Sequence, residues 1–162
     1  MSILDTSIKP VQLIFNGTKN KDTLVGNSAN NIFKGLGSAD TLTGMGGADT
    51  FKYALSDSRL TGFDHITDFA IGTDIIDGPS TVSSLNLKEL GTVSSLTQVD
   101  ISAVLTSANF IRSGAATFSL GGGSSSRTFL ALNDSRAGFQ STYDAIIEIT
   151  GFSGRLTDLA IK

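Results

Sequence analysis

Between Gly17 and Lys52 the sequence keeps a nine-residue frame through four ungapped units, GTKNKDTLV, GNSANNIFK, GLGSADTLT and GMGGADTFK. The first position is Gly17, Gly26, Gly35 and Gly44. The sixth is Asp22, Asn31, Asp40 and Asp49, and the eighth is Leu24, Phe33, Leu42 and Phe51. Self-similarity at a fixed short period marks a solenoid, in which each unit buries its apolar side only against its neighbours. The eighth residue stands between Thr23, Ile32, Thr41 or Thr50 and Val25, Lys34, Thr43 or Lys52. That is the pattern of a short strand with its middle side chain inward. The residues before it are glycines and small polar groups, suited to a tight turn with some positive φ. A strand of about three residues is only about 10 Å long. Each turn therefore sends the chain back, units two apart run parallel and stack, and Asp22 is expected over Asp40 and Asn31 over Asp49.

Stacked carboxylates repel unless something positive lies between them. The turns add free backbone carbonyls, and glycines at Gly17, Gly26, Gly35, Gly37, Gly44 and Gly46 let these rotate toward an ion. Mixed carboxylate and carbonyl oxygens in flexible geometry suit calcium, whereas magnesium prefers to keep water. One row of Leu and Phe is little apolar surface for so much glycine-rich chain. Metal binding is therefore expected to supply part of the folding energy, with Asp22, Asn31, Asp40 and Asp49 as side-chain ligands.

In these residues the chain resembles the repeat-in-toxin (RTX) family and its nonapeptide G-G-x-G-x-D-x-U-x. The resemblance implies a right-handed parallel β-roll with calcium between its turns. The departures are at the second column, Thr18, Asn27, Leu36 and Met45, and at the fourth, Asn20, Ala29, Ser38 and Gly47. Lys19 and Lys21 flank Asp22, and Asn31 replaces an aspartate, so the first two loops are expected to bind more weakly than the last two. Downstream, FKYALSDSRLTGFDHITDFAIGTDIIDG resembles the segment after the roll in serralysin-type secreted proteases and alginate epimerase modules. There the resemblance implies a sheet continued through Asp64, Ile66, Asp68, Phe69, Gly72, Asp74 and Asp77, with an aspartate capping a terminal calcium site. Asp68 is the candidate cap, with a turn aspartate between two strands as the alternative. The last part, RTFLALNDSRAGFQSTYDAIIEITGFSGRLTDLAIK, resembles the bluetail domain of surface-associated cyanobacterial proteins that contain such repeats.

The expected fold is all-β, a parallel β-roll continuing into an antiparallel, β-sandwich-like part with one or two short helices. Residues 1–16 are read as a lead-in strand or cap, 17–78 as the roll with its capping segment, and 79–162 as a β-rich region packed on it as one continuous domain. LNLKEL and DISAVLTSANF carry helix-like spacing. ATFSL, RTFLALN, DAIIEITGF and DLAIK read as antiparallel strands, with GGGSSS as a flexible hairpin tip.

Other chemistries find little support. The 162 residues hold no cysteine and one histidine, His65, which removes thiol nucleophiles and multi-histidine zinc sites. Twelve basic against fifteen acidic residues, a formal charge of -3, offers no basic face for nucleic acid. GGGSSS makes no nucleophile elbow, and neither Gly35-Leu36-Gly37 nor Gly121-Gly122-Gly123 leads into a phosphate-binding G-K-[ST]. No enzyme is expected. Asn133, Asp134, Asp144 and Glu148 form either a further oxygen-rich cation site or an ordinary hairpin cap. No cleaved signal or membrane span is expected from MSILDTSIKPVQLIF or elsewhere. The resemblance implies instead export by a type I secretion channel through an uncleaved C-terminal signal, to which LTDLAIK is similar apart from its terminal Lys162. The expected function is a calcium-binding module of a secreted or cell-surface protein that folds outside the cell. The alternative is a calcium-braced adhesive or carbohydrate-interacting module with a surface polysaccharide as partner.

Overall fold

The computed structural model describes residues 9–122 and 126–162. The start of the lead-in and residues 123–125 of the GGGSSS tip lie outside the described residues. Seven three-residue strands wind first: β1 (Ile14–Asn16), β2 (Thr23–Val25), β3 (Ile32–Lys34), β4 (Thr41–Thr43), β5 (Thr50–Lys52), β6 (Asp64–Ile66) and β7 (Ile75–Asp77). Odd and even strands go to different sheets. One sheet is the parallel set β1-β3-β5-β7, and the other begins β2-β4-β6. Thr23 pairs with Thr41, Leu24 with Leu42, and Phe15 with Phe33, so partners are two nine-residue units apart. This is the expected parallel roll, and β1 adds a rung upstream of the first glycine.

The middle residue of each strand points between the sheets. Phe15, Phe33 and Phe51 stack with ring centroids 4.8 and 5.0 Å apart, and Phe69 closes the column edge-on at 5.9 Å. Leu24, Leu42 and Ile66 face them from the even sheet, and Phe33, Phe51, Phe69 and Ile66 are fully buried. Each such side chain contributes about 1.5–3 kcal/mol.

Beyond Lys52 the nine-residue period is lost while the winding continues. Thr41 pairs with His65 and Thr50 with Ile75, because longer loops are inserted before β6 and β7. The even sheet is then extended by β11 (Ala145–Glu148), β10 (Arg127–Leu132), β9 (Ala115–Leu120) and β8 (Leu87–Val93), in that order. β11 joins β6 in parallel, Ile147 opposite Asp64 and Glu148 opposite His65. β10 runs antiparallel to both β9 and β11. Leu130, Leu132, Ala145 and Ile147 of this extension continue the roll core. On its opposite face Phe118, Phe129, Ala131 and Ile146 form a second core with Ile101 of α1 (Gln98–Val104). Thr97 caps α1 by accepting the Asp100 N–H at 3.2 Å, as the first turn of a short helix requires.

Two expectations are corrected. LNLKEL is strand, not helix: Leu87, Lys88 and Glu89 pair in parallel with Ala115, Ala116 and Thr117, and this pairing overrides a spacing too short to distinguish helix from strand. DLAIK is not an antiparallel strand of the second region. Leu156–Asp158 is a turn of 3-10 helix. Ile161 then bridges Ile76 in parallel and Val82 in antiparallel fashion, while Lys162 donates its N–H to the Ile76 carbonyl at 2.9 Å. The apolar Leu159 and Ile161 are thereby buried against the roll.

Candidate metal centre

The stacked turns form two edges. On one, the Asp22 N–H donates to Asp40 Oδ1 at 2.8 Å and the Asp40 N–H to Asp64 Oδ1 at 3.0 Å. On the other, Leu13 N–H donates to Asn31 Oδ1 at 3.1 Å, Asn31 N–H to Asp49 Oδ1 at 2.7 Å, and Asp49 N–H to Asp74 Oδ1 at 2.9 Å. The residue after each partner donates its own N–H back, as Thr41 does to the Asp22 carbonyl and Thr50 to that of Asn31, both at 2.9 Å. The sixth column is thus a ladder, and the predicted stacking of Asp22 with Asp40 and Asn31 with Asp49 is present. Asp64 and Asp74 continue it and were not among the sequence-derived ligands. Their signal is the triplet of an aspartate, any residue and a large apolar one: Asp64-His65-Ile66 and Asp74-Ile75-Ile76 repeat Asp40-Thr41-Leu42 after the period has broken.

The second carboxylate oxygen of each rung meets a different environment. Asp22 Oδ2 accepts from Thr18, at 2.6 Å from its N–H and 2.9 Å from its hydroxyl. Asp40 Oδ2 and Asp64 Oδ2 are buried with no hydrogen-bond partner among the described residues. Both lie within 3.2 Å of the point where a Cβ on Gly35 would stand, so only glycine leaves them room. Burial raises the pKa of Asp40, Asp49 and Asp74 and pushes Asp64 up to about 8, with the neighbouring Asp40 charge adding to the Asp64 shift. The Tyr53 hydroxyl, buried beside Asp64, is driven up by the same burial and then by that carboxylate. Ser58 holds Asp64 in place: its hydroxyl accepts the Asp64 N–H at 2.8 Å and donates to the Ile146 carbonyl across the sheet.

The turns also differ in backbone. Leu36 and Ser38 have φ of 73° and 92°, and Met45 and Gly47 have 72° and 101°, so the third and fourth turns are left-handed at the second and fourth columns. The equivalent residues of the first two turns, Thr18, Asn20, Asn27 and Ala29, are not among the positive-φ residues. A left-handed Leu or Met costs about 1–2 kcal/mol, a strain kept where the turn geometry has a use.

Asp68, the candidate cap, accepts from Gly44 N–H at 2.9 Å and Met45 N–H at 2.8 Å and so fastens the start of the fourth turn. Of the four oxygen-bearing residues of the second region, the three carboxylates find donors, while Asn133 Oδ1 is buried without a partner among the described residues. Asp144 accepts from the N–H groups of Asp134 and Gln140, Asp134 accepts from Arg136, and the Asn133 amide donates to the Phe110 and Ile111 carbonyls. Glu148 receives a bidentate Arg127 at 2.9 and 2.6 Å. Asp134 and Asp144 thus tie the loop between β10 and β11, and Glu148 forms a cross-strand ion pair.

Among the described residues no group of three or more carboxylate or histidine side chains converges to hold a metal. An ion in the roll would therefore draw on turn carbonyls as well, and the Asp40 and Asp64 oxygens that meet beside Gly35 fit one, being hard donors with no cationic partner, which an ion would let ionise. Among the described residues no helix is long and apolar enough to cross a membrane. The phenylalanines of the roll are interior and offer no aromatic platform for a polysaccharide. No curated protein matches the chain at a significant level. The family model described as the C-terminal region of the M10 serralysin peptidases, their non-catalytic repeat region, matches residues 15–160, nearly the whole chain, and the protein belongs to that family.

Proposed function

We propose that this chain is a calcium-binding β-roll module of a secreted or cell-surface protein, and that it completes its fold as calcium binds outside the cell. The observation carrying this reading is the pair of buried oxygens beside Gly35, Asp40 Oδ2 and Asp64 Oδ2, neither within hydrogen-bond distance of a donor although the Tyr53 hydroxyl lies beside Asp64. Asp22, Asp40 and Asp64 would serve one edge and Asp49 and Asp74 the other, with carbonyls of the turns bearing Gly17, Gly35, Gly37, Gly44 and Gly46 completing the oxygen sets. Calcium supplies the positive charge that lets these carboxylates stay ionised while buried. The left-handed third and fourth turns support stronger binding there than at the first two. Extracellular modules bind calcium at about 0.1–1 mM. A ligand at a hundred times its Kd stabilises by about 2.7 kcal/mol per site, enough to decide between folded and loose in a marginal domain.

Export through a type I channel fits this reading. The tail around Leu159 and Ile161 is tied to β7 in the folded chain. A transporter would have to read it earlier, which low internal calcium permits. The likeness of the last third to surface-associated bluetail proteins supports a location at the cell surface.

Hydrogen exchange with and without chelator tests the calcium reading. Amides across residues 17–77 should lose protection in chelator and regain it with calcium, most of all in residues 35–77, while those of β9 and β10 keep theirs. Equal protection of the roll in both conditions would sink it.

A further inference from the structure

The turn Gly26–Asn31, sequence GNSANN, is built differently from the others. Asn31 keeps the ladder role with its Oδ1, which accepts from Leu13 N–H at 3.1 Å as the aspartates do from their own partners. Its Nδ2 therefore stands where Asp22, Asp40 and Asp49 place Oδ2. In all four turns that atom lies within 3.0 Å of the point where a Cβ on the first-column glycine would be. The polarity at that point is reversed. Where Asp40 has a buried acceptor without a donor, the Asn31 amide donates to the carbonyl of Asn27 at 3.1 Å, to that of Ala29, and to Asp49 Oδ1 at 3.2 Å. The opposite orientation of the amide would set NH2 against the Leu13 N–H and an oxygen against two carbonyls, so the network leaves one assignment.

Two carbonyls and a carboxylate around one point are an oxygen set of the kind calcium takes. We propose that the Asn31 amide group stands in for a cation, so that turn 26–31 is a metal-independent clasp within an otherwise calcium-dependent roll. Two neighbours extend the clasp along the edge. Asn27 Nδ2 donates to the Val11 carbonyl of the preceding turn at 2.9 Å, and Asn30 Oδ1 accepts the Ala48 N–H of the following one at 2.8 Å. The backbone is compatible with this, for Asn27 and Ala29, like Thr18 and Asn20 of the first turn, are free of the left-handed strain found at Leu36, Ser38 and Met45. Asp49 gains by facing a neutral donor on that side where a second aspartate would repel it. The clasp thus gives the roll one ordered pair of turns before any ion arrives, from which calcium-driven ordering can spread. This inference rests on the calcium reading of the other turns and narrows it, removing Asn31 from the ligands the sequence suggested.

Two isosteric substitutions test it, Asn31→Asp and Asp40→Asn, each read by the calcium count in titration calorimetry and by amide exchange in chelator. In the parent chain without calcium, the amides of turn 26–31 should exchange about tenfold or more slowly compared with those of turn 35–40. Asn31→Asp should abolish that difference in chelator, restore it with calcium, and take up one additional ion. Asp40→Asn should do the reverse: its amide would face the donor-free Asp64 Oδ2, one ion is lost, and turn 35–40 becomes protected without metal. Calcium uptake by the parent with an unchanged count and unchanged chelator sensitivity in Asn31→Asp overturns the clasp alone. If that variant does not fold even in calcium, Asp40→Asn decides, and an unaltered count and protection there overturn it. No calcium uptake by the parent overturns the calcium reading and the surrogate with it.

Discussion

Both halves of this molecule bury carboxylates, and they neutralise them in opposite ways. In the roll, Asp40 and Asp64 each leave a buried oxygen without a donor, and burial holds both carboxyls above their ordinary range. In the antiparallel half, Glu148 is met by a bidentate Arg127, which itself lies 5.6 Å from the centroid of Phe63 and 5.0 Å from that of Phe129. Asp144 is met by two backbone N–H groups. One half supplies donors from its own chain, a cation for Glu148 and N–H groups for Asp144, whereas the roll supplies none for the two oxygens of Asp40 and Asp64. If the roll binds calcium as proposed, the order of the second half should be independent of the medium and that of the first should depend on it. A buried carboxylate is thus no sign of a metal site until its donors have been traced.

The sharpest way to break this contrast is to remove the internal cation. Arg127→Ala leaves Glu148 buried without its partner and should destabilise the second half by roughly 2–4 kcal/mol, the lower end reflecting the partial exposure of the Arg side chain. Denaturant titration in saturating calcium measures it. A comparable loss of calcium affinity in the roll would show that the halves are not separable in this way.

Asp144 provides a smaller test, by pH. Burial raises its pKa from 3.8 to about 6, against the lowering effect of the Asp134 and Gln140 N–H groups. A carboxyl raised in the folded state favours folding fully below its unfolded value, and that contribution is lost as pH rises through the folded value. Stability should therefore fall between about pH 4 and pH 6, on the order of 2 kcal/mol, and then level off. Asp144→Asn should flatten this slope. A slope unchanged in the variant would assign the titration to another group.

The smallest effect concerns turn strain. Met45 is exposed at a φ of 72°, so Met45→Gly relieves a left-handed side chain without emptying the core. The fourth turn should gain about 1 kcal/mol or less, since glycine returns part of the benefit as chain entropy. A thermal midpoint in calcium that falls would show that the Met45 side chain makes contacts worth more than the strain.

The nine-residue period carried most of the roll. Because Leu24, Phe33, Leu42 and Phe51 recur at one interval and the turns reverse the chain, the inward row, the two sheets and the stacking of Asp22 with Asp40 and Asn31 with Asp49 all follow from local spacing. The period ends at Lys52, and with it that legibility. Asp64 and Asp74 keep the triplet but not the interval, so their places as rungs depend on the inserted loops packing as they do. The strand at LNLKEL, the joining of β11 to β6 and the docking of Ile161 on Ile76 were decided by which exposed sheet edges were free to pair, a choice made between residues far apart in the chain. The difference between Asn31 and its neighbouring aspartates was visible as one letter. Only the folded turn, by placing an N–H2 group among three oxygens, showed that this letter changes which groups are partnered, since whether a buried polar atom lacks or has a partner depends on every group around it.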